Sequence, residues 1–146
     1  MIELDWDLLK YEKHTIVADF FHEKVRCLIT RDLTHWCAYV GVPKNHPLAG
    51  FDYSEIPLDC HWGLNFAKLG EGKFRPKGFY WYGWSYDHCD DATEIRPEYG
   101  KKWNLNEVKN EVCQVAEAFK IIIKLTEAVF LKGAKIIPYF LKEDKK

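Results

Sequence analysis

The sequence predicts an α+β domain, an antiparallel sheet of about five strands with one long C-terminal helix packed on one face. Three observations lead there. Short runs rich in β-branched and aromatic residues, separated by turn residues, fill the chain up to residue 86. A single later segment repeats apolar residues at steps of three and four. The length, 146 residues, suits one domain with one core.

"HTIVADFF" and "KVRCLIT" read as two strands joined by a polar turn near His22 and Glu23, and "HWCAYVGV" reads as a third, giving an antiparallel meander. From Pro43 to Pro57 the chain holds three prolines and a glycine, which predicts a long ordered loop of the kind that often serves function. A fourth strand is expected over 58 to 67, with Cys60, Trp62, Leu64 and Phe66 on one face and Asp59, His61, Gly63 and Asn65 on the other. The glycine-rich "LGEGKFRPKG" leads to a fifth strand over 79 to 86. Val108, Val112, Val115, Phe119 and Ile122 then mark one stripe of a helix that Asn104 and Glu107 cap and that ends near Lys132, with Gly133 and Pro138 beyond. The domain is expected to span 1–140, with a solvated charged tail at 141–146.

Composition narrows the function classes. A net charge of -1 gives no electrostatic ground for a nucleic-acid partner, and no apolar stretch approaches the roughly 20 residues that span a bilayer. Five cysteines without CxxC spacing, behind an N-terminus without a signal-like apolar run, suggest a reduced intracellular protein. Aromatic residues make up 16% of the chain and concentrate in "GFYWYGWSY". Aromatic rings fill cores, and they also form platforms for planar ligands.

The candidate site follows from two glycines inside predicted strands, since a glycine there often admits a ligand or another backbone. If Gly63 and Gly83 share a face, they form a shallow floor walled by His61, Asn65, Trp81 and Asp87. "YDHCDDATE" adds His88 and Asp91 where the fifth strand ends, a usual place for functional groups. His61, His88, Asp87 and Asp91 are the candidates for acid–base work, because a carboxylate can orient an imidazole. No ligand pair has zinc-site spacing, so neither a metal nor a cofactor is expected. Cys89 lacks a recognisable activating base in the sequence, and His14, His22 and His35 sit beside apolar strand patterns as structural residues.

Taken in order, "GVPKNHPLAGFDYSEI", "HWGLNFA", "YGWSYDHCDD" and a helix containing "EVKNEV" resemble a family of small uncharacterised proteins common in bacteriophage genomes. The family pattern has an HPLxGxDY loop, an HGGLTY strand and a GFDCAHxGD strand end. The resemblance covers about residues 39 to 115 and matches His46, Pro47, Leu48, Gly50, Asp52 and Tyr53, then His61, Gly63 and Leu64, then Gly83, His88 and Asp91. Trp62 stands in place of a glycine, Asn65 in place of a threonine, and Ser85 in place of an aspartate whose role Asp87 would have to take.

The resemblance implies a viral accessory protein in the host cytoplasm. The leading expectation is binding of a small polar, nucleotide-derived ligand, with sequestration of a host defence signal as the use, by analogy alone. Trp81 or Trp84 would stack on the ligand, His61, His88 and Asn65 would hydrogen-bond it, and His46 would ride on a lid formed by the 43 to 57 loop. One alternative is a His/Asp acid–base or metal-assisted hydrolase. Another is an inhibitor that binds a host protein through an aromatic surface. Exposed edge strands add a homodimer to the expectations.

Overall fold

The computed structural model describes residues 15–133. The expected tail at 141–146, His14 and the stop at Pro138 lie outside them. Strands β1 (Thr15–His22), β2 (Val25–Arg31), β3 (Trp36–Pro43), β4 (Phe66–Leu69) and β5 (Phe79–Ser85) form one sheet in the order β1-β2-β3-β5-β4, with every neighbouring pair antiparallel. Helix α1 (Leu105–Gly133) packs on β2 and β3. The α+β architecture is therefore as the sequence predicts. Among the described residues no helix is long and apolar enough to cross a membrane.

Local chemistry explains the elements. Glu23 and Lys24 both take positive φ (48° and 70°), the conformation that lets a two-residue turn follow the strand twist between β1 and β2. At the start of α1 the Glu107 N–H donates to Asn104 Oδ1 (2.9 Å), while the Asn104 N–H donates to Glu107 Oε1 (3.1 Å), a reciprocal cap on otherwise orphaned donors. The helix buries Val108, Val112, Val115, Ala116, Phe119 and Ile123 against Val25, Cys27 and Ile29 of β2, Ala38, Val40 and Val42 of β3, and Tyr82 and Trp84 of β5. Its stripe thus continues through Ile123, while Ile122 only flanks it.

The opposite face is dry as well, which corrects the floor expected there. Leu28, Tyr39 and Trp81 are buried together, with Phe66 and Phe79 beside them. Tyr39 pairs with Gly83 across β3 and β5, and Gly41 pairs with Trp81. A Cβ on Gly83 would lie 2.4 Å from Tyr39 Cδ2, and one on Gly41 would lie 2.7 Å from Trp81 Cε3. Each glycine is the bed of a ring from the neighbouring strand, so Gly83 leaves no opening for a ligand. Arg26 covers Phe79 at 4.7 Å and Arg75 covers Phe66 at 4.8 Å, closing the face with cations over rings.

The expected strand over 58 to 67 is also corrected, because only Phe66–Leu69 is strand. Trp62 (φ 59°) and Gly63 (φ 77°) take left-handed backbone, and the Gly63 N–H donates to the Cys60 carbonyl at 2.8 Å. That is a tight turn, and it breaks the alternation of faces. Cys60 and Leu64 pack against the helix-side core, Phe66 lies on the other face, and Trp62 is exposed.

Replacing Gly83 with alanine forces the Tyr39 ring out of a packed face. Gly83→Ala is expected to lower stability by about 1–3 kcal/mol, read as a lower urea midpoint at unchanged slope.

Candidate functional site

Three irregular segments converge beyond the C-terminal end of β5: the turn at Cys60–Gly63, the turn at His88–Asp91, and the stretch leading into α1. Asp91 joins them. It closes its own turn, its N–H donating to the His88 carbonyl (2.9 Å) while its Oδ2 accepts the His88 N–H (3.0 Å). Its Oδ1 accepts the Trp103 indole N–H at 2.9 Å, and both oxygens lie 2.8 Å from His61 Nε2. Gly100 fits here because a Cβ would fall 2.0 Å from the Asp90 carbonyl, while the Lys101 N–H donates to that same oxygen (2.8 Å).

The Asp91 side chain is 1% exposed, and among the described residues no lysine or arginine pairs with it. Its compensation comes from N–H groups alone, the condition for keeping a carboxylate away from water. Because His61 Nε2 faces only carboxylate oxygens, it carries a hydrogen, and in that tautomer the lone pair falls on Nδ1. No described residue hydrogen-bonds that Nδ1, and it is not a sealed atom. The ring is fixed further by stacking on Tyr86 (4.8 Å, 9°) and by edge contacts with Trp103 (5.0 Å) and His88 (5.8 Å).

Beneath His61, the Tyr86 hydroxyl donates to Glu111 Oε1, and the Trp84 indole N–H reaches the Tyr86 oxygen (3.0 Å) and Glu111 Oε1 (3.3 Å). Burial first, and the Glu111 carboxylate second, push the Tyr86 phenol well above its ordinary range, so it remains a donor. Burial, with Glu111 and Asp59 adding to it, pushes the neighbouring Cys60 thiol up to about 12. Above the site the Trp62 indole is 56% exposed, stacks on His88 (4.9 Å, 14°) and donates to Asp90 Oδ1 at 2.9 Å. His88 Nε2 is buried without a hydrogen-bond partner. His61, Asp90 and Asp91 each offer a ligand atom within 4.8 Å of the others, and so do His22, Glu23 and Glu117 near the β1–β2 turn. These are the groups among the described residues able to hold a metal. At the first, the approach from Nε2 to Asp91 is spanned by a hydrogen bond.

Of the residues selected from sequence, His61, His88 and Asp91 come together, with Gly63 in the adjoining turn. The others go elsewhere. Trp81 and Trp84, expected to stack on a ligand, are fully buried on opposite faces of the sheet, because alternation in β5 points them into different cores. His46 is buried, its Nδ1 accepting the Leu48 N–H (3.0 Å) and its Nε2 meeting Glu127 of α1 at 2.8 Å. The 43 to 57 loop is held by the Tyr82 hydroxyl on the Leu48 carbonyl (2.7 Å) and the Tyr80 hydroxyl on the Phe51 carbonyl (3.1 Å). It is thus bolted to the helix side, and none of its described hydrogen bonds reaches His61, which corrects its role as a lid over this site.

Asn65 and Asp87 belong to a different line of contacts. Asn65 Nδ2 donates to Ser85 Oγ (2.9 Å), Ser85 Oγ donates to Asp87 Oδ1 (2.8 Å), and Asp87 Oδ2 lies 3.6 Å from His35 Nε2. His35 also sits beside Asp32, whose carboxyl burial would raise but which the His35 and Thr34 amides and the Thr34 hydroxyl hold below its usual range. Sequence reasoning missed Trp62 as an exposed ring, Asp90 as the acceptor of the Trp62 indole N–H, Trp103 as a donor to Asp91 and Tyr86 as the stacking base of His61. The positive φ that turns Trp62 outward carries only one sequence signal, the adjoining Gly63.

Fold and site together define an α+β domain carrying a carboxylate-fixed histidine next to a second histidine on which an exposed tryptophan stacks. Comparison with family models, with curated proteins and with solved structures found no match to this chain.

An amide in place of the Asp91 carboxylate offers one acceptor oxygen to three N–H groups. Asp91→Asn is expected to cost about 1–3 kcal/mol through an unsatisfied buried donor and to shift the Trp103 indole N–H resonance in a proton–nitrogen NMR spectrum. All five cysteines are free thiols. Cys27, Cys37 and Cys60 are pushed up to about 12, chiefly by burial, and stay protonated at pH 8. In a timed alkylation at that pH, exposed Cys89 is expected to label first, and those three only on unfolding.

Proposed function

We propose that the chain binds a small polar ligand of nucleotide-derived type at His61, and that it holds the ligand rather than transforming it. The observation that carries this reading is the fixed imidazole. His61 Nε2 is committed to buried Asp91, its ring is stacked on Tyr86, and Nδ1 is left without a protein partner. An acceptor held so rigidly loses little freedom on binding, so a donor on the ligand gains most of the hydrogen bond. His88 supplies a flat surface beside it, the ring that Trp81 and Trp84 do not supply, and Trp62 lies over that surface. The resemblance of residues 39 to 115 to bacteriophage proteins supports sequestration of a host signal as the biological use.

A second reading rests on the same contact. A carboxylate behind an imidazole with one free nitrogen is also the arrangement of a general base, with Asp91 stabilising the imidazolium formed when Nδ1 takes a proton. Binding and turnover separate by experiment. A native mass spectrum of protein purified from cells is expected to show an excess mass of nucleotide size that denaturation releases intact. A ligand recovered chemically changed would replace the binding reading with the catalytic one.

His61→Gln keeps an N–H within reach of Asp91 but removes Nδ1. It is expected to lose the excess mass, or at least about tenfold in affinity for the released ligand, with an unchanged circular dichroism spectrum. Retention of full affinity would overturn the assignment of His61.

A further inference from the structure

Trp62 is a large ring in an awkward place. It is more than half exposed, it sits at φ 59°, a backbone conformation that disfavours residues with a Cβ, and it packs face to face on His88. Its indole N–H is bound to one oxygen of exposed Asp90, while Oδ2 of that carboxylate has no hydrogen bond among the described residues. The ring below it is incomplete too, since His88 Nε2 is buried and unpartnered. A planar heteroaromatic group with an N–H on its edge is therefore held between a ring and a carboxylate by contacts that any similar group could make.

We propose that Trp62 occupies a base-binding site and that the ligand which displaces it is a guanine nucleotide. This rests on the reading of the His61 site as one for a nucleotide-derived ligand, and it names the base. Guanine carries two adjacent donors, N1–H and the exocyclic N2–H, which match the two oxygens of a carboxylate, whereas indole offers one donor and leaves Oδ2 unused. Adenine presents a ring acceptor beside its amine, and that acceptor faces the Asp90 carboxylate unfavourably. Stacking on His88 serves any purine, so Asp90 is the group that discriminates. Asp90, His61 and Asp91 offer polar atoms within 4.8 Å of one another, so a base on Asp90 lies beside the fixed imidazole. Displacing Trp62 also uncovers the top of the His88 ring.

The test is calorimetric titration of the whole chain with 5′-GMP and 5′-AMP, which carry the same phosphate, so that their difference reads the base. Trp62→Gly removes the occupant and suits the positive φ. It is expected to bind GMP at least tenfold more tightly than the wild type does, and at least tenfold more tightly than it binds AMP. Adding Asp90→Asn is expected to abolish the preference between the two. Trp62→Asn, which also tolerates positive φ, repeats the measurement should the glycine variant be poorly folded. GMP binding that is unchanged or weaker in both Trp62 variants, or equal for GMP and AMP, would overturn the proposal. The His61 reading fails separately: a ligand bound at full affinity by His61→Gln sinks that reading, whereas one lost or weakened at least tenfold in that variant, with no GMP binding to the Trp62 variants, sinks only the guanine assignment.

Discussion

A charged carboxylate enters a protein interior only where donors replace its water, and in this chain that requirement organises one end of the molecule. Asp91 draws its donors from three separate stretches of chain, a turn near residue 61, its own turn after β5, and the tryptophan that precedes the helix. None of these segments is regular, and none has an extended apolar face to hold it in place. Their common dependence on one buried acceptor gives an irregular region a definite shape. The same dependence orients His61, so the interaction that builds the region also sets which nitrogen of the imidazole faces out.

The sheet supplies the platform. Because both of its faces are covered, by α1 on one side and by aromatic rings under arginines on the other, its broad surfaces are not where chemistry is available. What remains is the end of the sheet past the last residue of β5, where strands give way to turns. Tyr86 links the two regions: its ring is the base on which His61 stacks, and its hydroxyl is tied to Glu111 of the helix. The position of the imidazole is thus referred to the helix through Tyr86 and to the loops through Asp91.

The sequence was legible wherever the signal was local. Helix α1 announces itself by the Asn104–Glu107 pair and a repeating apolar stripe, and the hairpin strands by β-branched runs. The grouping of His61, His88 and Asp91 was legible in part: the pattern gathers them as polar residues around one face, but it gathers Asp87 with them, and that carboxylate turns to Ser85 and His35 instead. The stretch 58 to 65 was misread because alternation of residue types records composition and carries nothing about φ, and two successive left-handed residues undo a strand whatever its pattern. Trp81 and Gly83 were misread for another reason. Whether a strand face is wet depends on what covers it, and Tyr39, Phe66 and Arg26 come from three other strands, with Arg75 from the connection before β5. Trp103 lies twelve residues from Asp91, in a stretch with no periodicity to say which way it points.

The crossed arrangement of Tyr39 over Gly83 and Trp81 over Gly41 has a consequence for how such a chain can change over time. Each large residue and its glycine share one fixed volume, so neither member is free to drift alone. Enlarging a glycine is disfavoured until its ring has shrunk, and shrinking a ring leaves a hole until its glycine has grown. Descent in this part of the sheet therefore proceeds through coupled substitutions at cross-strand partners. The trace it leaves is covariation between β3 and β5 rather than invariance at any one site.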